Sequence, residues 1–212
     1  MSYESGSMTD DIEIVPARVG DPEEIARWLL ETGREVFAYL FDGEERACRL
    51  FARLWQADEG SFSHRQAVMA VRGETILGLS LGYGARDKAD LQARTGARFQ
   101  ELVPAEELAA QAARGAQLSP LLAPLPEDAF YIQNLVASPQ ARGSGIGALL
   151  LRHGFAEAAR QGFKSLQLDV QTNNPAQHFY RAQGMQDILE SRIPALVRSH
   201  DLPGTIRMVK SL

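Results

Sequence analysis

Gln140-Ala141-Arg142-Gly143-Ser144-Gly145-Ile146-Gly147 is the stretch on which the reading of this chain turns. It follows an apolar run at 130–137 that ends in Ser138-Pro139, and it opens a long helical pattern from Gly145 to Gln161. A strand therefore feeds a helix through a glycine-rich turn, and the first backbone N–H groups of such a helix have no partner within it. Gly143, Gly145 and Gly147 let the chain bend tightly and approach a ligand with no Cβ in the way. The helix dipole adds partial positive charge at the same end, which favours a phosphate or diphosphate. Arg142 contributes a permanent charge with a forked set of donors. Together these residues describe a diphosphate cradle.

Downstream, Ile146, Leu149, Leu150 and Phe155 supply the buried side of the helix, and Gly162 stops it. Leu166, Leu168 and Val170 alternate with Gln167 and Asp169, a strand of period two that reads Asp169 as a solvated residue. Asn174-Pro175 starts a short helix that Gly184 ends, and two strands near 188–192 and 206–209 follow. Upstream, Ile12, Ile14 and Val15 form a first strand closed by Pro16. Asp21-Pro22 caps a helical run carrying Ile25, Trp28, Leu29, Val36, Phe37, Leu40 and Phe41, interrupted at Gly33; a second run carries Cys48, Phe51, Ala52 and Trp55. Both tryptophans and Cys48 read as core. Residues 66–71 and 76–83 make a hairpin across Arg72-Gly73-Glu74-Thr75.

The stretch 84–128 is longer than an ordinary connection and is expected to hold a helix from Pro104 through Ala113. It is open to three readings: a substrate lid, the contact of a homodimer, or a decoration. The order of elements gives an α/β chain with a mixed sheet and a helical insertion between its third and fourth strands. Residues 1–11 read as a polar tail, and 12–212 as a single domain containing the insertion.

The bulk properties exclude several classes. The chain has 212 residues, 45% hydrophobic and 23% charged, enough for a sizeable core. Lys and Arg number 22 against 27 Asp and Glu, and the resulting net charge of −5 lacks the basic excess of a nucleic-acid binder. No apolar run is long enough to span a membrane, and no secretory signal is expected at the start. Cys48 stands alone, which excludes an internal disulfide and fits a reducing, cytoplasmic setting. His64, His153, His178 and His200 lack metal-ligand spacing, so no metal is expected; they read as surface residues or neighbours of the site.

Gly143, Gly145 and Ala148 also fit a dinucleotide fingerprint, with Asp169 placed to hold a ribose. That fingerprint has its first glycine directly after the strand, whereas Gln140, Ala141 and Arg142 intervene here. The motif also comes after a hairpin rather than in a first strand–helix–strand unit.

With Gln140, Gly143 and Gly145 in place, and Arg142 and Ile146-Gly147 beside them, the loop resembles the acyl-CoA signature of the GCN5-related N-acetyltransferases. A second block, Asn173-x-x-Ala176-x-x-x-Tyr180-x-x-x-Gly184-Met185, is similar to the family's segment after the fifth strand. The resemblance is specific over 130–185, weaker over 12–83, and does not cover 84–128. It implies a central mixed twisted sheet splayed between parallel fourth and fifth strands. It also implies acetyl-CoA as co-substrate, its pantetheine arm on the backbone of Leu135, Val136 and Ala137. The diphosphate would rest on Arg142, Gly143, Ser144, Gly145, Ile146 and Gly147 beside Gln140, with Asn173 touching the cofactor.

Acyl transfer to an amine requires an unprotonated nitrogen, a polarised carbonyl and a proton for the leaving thiolate. An amine near 10.4 is mostly charged at neutral pH, so a base or water relay helps. The N–H of Val136 is the candidate for polarising the carbonyl. By the resemblance, Tyr180 is the general acid. The base has no clear owner: Gln133 and Asn134 are neutral, Glu127 is a possible base although it and Asp128 precede the strand, and a water chain or no dedicated base serves as well. The expected function is direct transfer, in a ternary complex, to a primary amine of a small molecule or peptide. A non-catalytic acyl-CoA sensor is the competing reading.

Overall fold

The computed structural model describes residues 12–212; the polar stretch 1–11, read above as a tail, lies outside the described residues. Strand β1 (Glu13–Pro16) leads to helix α1 (Pro22–Glu31). Asp21 caps that helix, its Oδ1 accepting from the N–H groups of Glu23 at 3.0 Å and Glu24 at 3.1 Å. Gly33 separates α1 from α2 (Arg34–Phe41), and α3 (Glu44–Gln56) follows. The hairpin of β2 (Ala67–Arg72) and β3 (Thr75–Gly84) falls where the sequence places it. Then come α4 (Lys88–Leu102), α5 (Ala105–Leu118), β4 (Ala129–Ala137) and α6 (Ile146–Arg160). The chain closes with β5 (Ser165–Gln171), α7 (Ala176–Ala182), β6 (Gln186–Ser191), α8 (Pro194–His200) and β7 (Thr205–Ser211).

The strands form one seven-stranded mixed sheet in the order β1-β2-β3-β4-β5-β7-β6. Among the described strands only β4 and β5 pair in parallel, from Ala129 opposite Ser165 to Ile132 opposite Leu168. Beyond that point each keeps its other neighbour, β4 with β3 and β5 with β7, while the two no longer touch as a ladder. The cause lies in β4. Its register against β3 shifts between Leu81, opposite Asn134, and Gly82, opposite Ile132, so Gln133 is an extra residue. Such a bulge bends the strand and increases its twist, turning the outer half of β4 away from β5.

Each face of the sheet carries its own core. On one, Ile25, Trp28, Leu29, Phe51 and Trp55 pack on Met69, Leu79 and Leu81. On the other, Leu151 and Ala158 of α6 meet Ile132, Leu166, Leu168 and Met208. Full burial of such side chains contributes about 1.5–3 kcal/mol each, so the two layers fix the sheet from both sides. Cys48 is only half-buried at the margin of the first core.

The insertion holds two helices, not the one expected. Helix α4 shows only a thin apolar stripe, Leu91, Phe99 and Leu102, among polar residues, which hides it from periodicity. Helix α5 lies on α2, with Arg114 Nε donating to the Leu40 carbonyl at 3.1 Å, and an Arg46–Glu107 ion pair ties it to α3. Helix α8 is a further element; its Leu196, with Leu202 just beyond it, packs against Leu118 and Leu121.

Candidate active site

The loop between β4 and α6 is closed by Ala141 N–H on the Ser138 carbonyl at 2.9 Å and by Ser144, whose N–H and Oγ both donate to the Ala141 carbonyl, at 3.3 and 2.6 Å. Gly143 and Gly145 have φ of 76° and 88°, and a Cβ on either would meet no atom within 4 Å. These glycines serve backbone conformation and open space, not packing. The first helical bond is Leu149 N–H to the Gly145 carbonyl at 3.0 Å. Among the described residues, Arg142, Gly143, Gly145, Ile146 and Gly147 donate to no backbone carbonyl, whereas Ser144, named with them above, does. A row of free amides thus sits on the positive end of a fifteen-residue helix. Gln140 is exposed on the adjoining turn. The guanidinium of Arg142 is paired with Glu31, the last residue of α1.

Beside the loop, the splay forms a cleft of about 230 Å³. Glu31 and Thr32 form one wall, residues 133–137 of β4 and 168–170 of β5 two more, and Asn174, Ala176 and Tyr180 the fourth. Ser138 N–H donates to the Leu77 carbonyl at 2.8 Å, and Ala137 and Val136 continue opposite Gly78 and Leu79. In an antiparallel ladder alternate residues turn both backbone groups to the same neighbour. Val136 therefore faces β3; its carbonyl oxygen would lie 2.6 Å from a Cβ on Gly78. This corrects the sequence reading: the polar backbone groups open to the cleft belong to Leu135 and Ala137.

Tyr180 reaches the cleft from α7, whose start is fixed by Asn174 Oδ1 accepting from Ala176 N–H at 2.9 Å. The residue is 7% exposed, and burial pushes its hydroxyl up to about 12. No described residue hydrogen-bonds to that hydroxyl. Phe179, its ring 5.1 Å from that of Tyr180, lies 3.4 Å from the Cβ position of Gly147, so α7 and the glycine loop are in register.

Three further residues stand otherwise than the sequence reading has them. Asn173 is exposed and donates to Glu35 Oε1 at 3.2 Å; Asn174, turned inward by its capping bond, stands on the wall instead. Glu127 is exposed beyond the start of β4, the end away from the splay, and five residues of extended chain put it roughly 15 Å from the cleft. Asp169 is not solvated: it carries an ion pair with Arg207 at 2.7 Å, and the two side chains are 10% and 3% exposed. Tyr131 also donates to its Oδ2 at 3.0 Å, so Asp169 is not free for a ribose.

The neutral pair on the bulge is tied down. Asn134 Nδ2 donates to Thr32 Oγ1 at 2.7 Å, and Gln133 Nε2 to the Ser61 carbonyl at 3.1 Å. His64 is buried, its Nδ1 2.9 Å from the Trp55 carbonyl, and is not a surface residue. Among the described residues no cluster of His, Cys, Asp and Glu is arranged for a metal, and no helix is long and apolar enough to cross a membrane.

A mixed sheet parted between parallel β4 and β5, with a free-amide loop at the head of the following helix, defines an acetyltransferase fold. Residues 64–185 match the model of the Acetyltransferase (GNAT) family. That is more than half of the 212 residues, and the chain belongs to this family. No curated protein matches it in sequence. Among solved structures, an acetyltransferase is 20% identical, with 94% of this chain and 98% of that one covered and a TM-score of 0.67. An N-acetyltransferase from Staphylococcus aureus Mu50 is 15% identical over 93% and 100%, TM-score 0.68. The NatC complex bound to Gag peptide and CoA is 12% identical over 95% and 99%, TM-score 0.50.

Proposed function

We propose that the chain transfers an acetyl group from acetyl-CoA to a primary amine of a small molecule or peptide, directly, in a ternary complex. The observation that carries this reading is two features side by side: the unpaired amides of the glycine loop and, in the cleft beside it, a Tyr180 hydroxyl to which no described residue bonds. The residues fit the cofactor. The amides of Arg142, Gly143, Gly145, Ile146 and Gly147 would hold its diphosphate, and Leu135 and Ala137 would pair with its pantetheine arm like a missing strand. A solved relative in fold, the NatC complex, holds CoA and a peptide.

Bound acetyl-CoA supplies an activated acyl group as a thioester. The N–H of Leu135, in place of that of Val136, would polarise the carbonyl where charge develops. Tyr180 keeps its proton at neutral pH because burial disfavours the phenolate, so it can donate to the departing sulfur. Cys48, off the cleft walls and partly buried so that its thiol is pushed up, has no part in a covalent route. It is in keeping with a reducing, cytoplasmic setting.

A non-catalytic sensor would need the cradle but not a proton donor, and the placement of Tyr180 favours the enzyme. The test is release of free thiol from acetyl-CoA across a panel of primary amines. Cofactor binding without thiol release from any of them would favour the sensor.

A further inference from the structure

The described residues that line the cleft include none from the insertion 84–128, so neither α4 nor α5 stands over it as a lid. Both ends of the insertion nevertheless reach β4 where it parts from β5. The first tie starts on α4 at Thr95, which is buried. Its Oγ1 donates to the Leu91 carbonyl at 2.8 Å and accepts from the Ser61 N–H at 2.8 Å. Ser61 is buried too, and a Cβ on its neighbour Gly60, where φ is 99°, would lie 2.8 Å from the same Oγ1. The turn at 60–61 is thus pressed on α4 and held there in one orientation. Its Ser61 carbonyl accepts from Gln133 Nε2 at 3.1 Å, and Gln133 Oε1 accepts from the Tyr83 hydroxyl at 2.9 Å.

The second tie is the return of the insertion. Arg207 Nη2 donates to the Ala123 carbonyl at 2.9 Å and Nη1 to the Pro124 carbonyl at 3.3 Å. The same guanidinium holds Asp169, whose Oδ2 accepts from Tyr131 at 3.0 Å. Tyr131 lies two residues before Gln133 on β4.

Gln133 is the residue that needs holding. As the extra residue of a bulge it has no partner opposite it on β3, so the ladder does not fix it. A side-chain amide with its donor and its acceptor both engaged does fix it, because those bonds are directional. Leu135, two residues on, takes its orientation from the turn made there. Replacing both partners of a buried hydrogen bond by apolar groups of the same shape is often nearly neutral for stability. A relay of polar links from α4 to the bulge is therefore accounted for by geometry rather than by stability.

We infer that the insertion is a brace for the site: through Thr95 and Ser61, α4 holds the Gln133 amide, and with it the turn of β4 that brings the Leu135 N–H to the cleft. Thr95 and Gln133 are positioning residues, acting on the acyl carbonyl only through Leu135. That N–H has a task under the acetyl-transfer reading, on which the inference rests.

The test uses the full chain, acetyl-CoA, and whichever of n-butylamine, 1,4-diaminobutane and glycylglycine gives the fastest thiol release. Thr95→Val keeps the shape of the side chain and removes both hydroxyl bonds; Gln133→Met does the same at the other end of the relay. Each should lower kcat about ten- to a hundredfold, the cost of a small misplacement at the reacting centre. The acetyl-CoA Kd, read by calorimetry, should stay within about twofold, since the amides of the glycine loop are untouched. Thr95→Ser keeps the hydroxyl and should bring kcat back to within about threefold of wild type. The double variant should be no slower than the slower single one, because both break one relay. Gly96→Ala, the next position on α4 with open space around it, should leave kcat unchanged. A readout free of turnover is the Leu135 N–H resonance of isotope-labelled protein saturated with CoA, which should move in Thr95→Val and return in Thr95→Ser.

A folded Thr95→Val with kcat within about threefold of wild type overturns the brace. So do losses that multiply in the double variant, a fall in kcat in Gly96→Ala, or a Leu135 resonance that stays in place. If Thr95→Val does not fold, Gln133→Met meets the same kinetic and resonance criteria. A wild type that binds acetyl-CoA but releases no thiol with any of the three amines instead sinks the acetyl-transfer reading, and the Leu135 resonance still decides whether α4 sets the bulge.

Discussion

Arg142 and Glu31 close an ion pair across the mouth of the cleft, from the glycine loop to the last residue of α1. Their side chains are 55% and 31% exposed, so the pair is worth about 0–1 kcal/mol and yields readily to a diphosphate. Glu31→Gln should therefore tighten acetyl-CoA binding by about two- to fivefold, read by calorimetry. Weaker binding in that variant would mean that Glu31 orients the arginine rather than competing for it.

The same chemical change at two glycines should have opposite signs. Gly145 has φ of 88° and open space around it, so Gly145→Ala meets backbone strain of about 1–2 kcal/mol and shifts the amide row. Stability should fall by that amount and cofactor affinity by about tenfold or more. Gly96 lies within α4 with no left-handed φ and nothing within 4 Å of a Cβ, so Gly96→Ala should stabilise by about 0.5–1 kcal/mol and leave cofactor binding alone. Urea unfolding and calorimetry on both variants check the contrast.

Tyr180→Phe should lower kcat by about a hundredfold while the cofactor Kd changes by less than about twofold. The wild-type hydroxyl, raised from 10 to about 12 by burial, stays protonated well into the alkaline range. No alkaline loss of rate due to Tyr180 is thus expected below about pH 11. The sign for stability follows: a folded-state value above the unfolded one gives stability that is complete below pH 10 and lost as pH rises towards 12. A pH series of urea midpoints should show less of that alkaline loss in Tyr180→Phe.

How much of this was legible beforehand depended on range. The glycine loop, the Asp21 cap and the hairpin are local, and their residues carry their own signals. Val136 turns to β3 rather than to the cleft because strand parity there is set by the bulge at Gln133 and the register with β3, both long-range. Asn173 and Asn174 are chemically identical neighbours, and only the cap of α7 decides which one turns inward. Asp169 read as solvated because alternation with Leu168 and Val170 placed it on an outer face. Its partner Arg207 arrives because β7 inserts between β5 and β6, which chain order does not announce. Helix α4 was too polar, and α8 too short, for periodicity to mark.

Arg207→Ala should be among the most damaging single changes. It strands the Asp169 carboxylate in a buried site and releases the Ala123 carbonyl, and loss of one partner of such a pair costs about 3–5 kcal/mol. A loss of unfolding free energy of that size is expected from urea titration. A drop within about 0.5 kcal/mol would show that solvent reaches the pair.

The account stands or falls on the amides at the head of α6, and titrating isotope-labelled protein with acetyl-CoA reads them one at a time. At saturation the N–H resonances of Gly143, Gly145, Ile146 and Gly147 should move far more than those of β1 and β2, with NAD unable to reproduce the shifts. If those resonances hold still while the protein is saturated, or if NAD moves them more than acetyl-CoA does, the assignment of the loop is wrong.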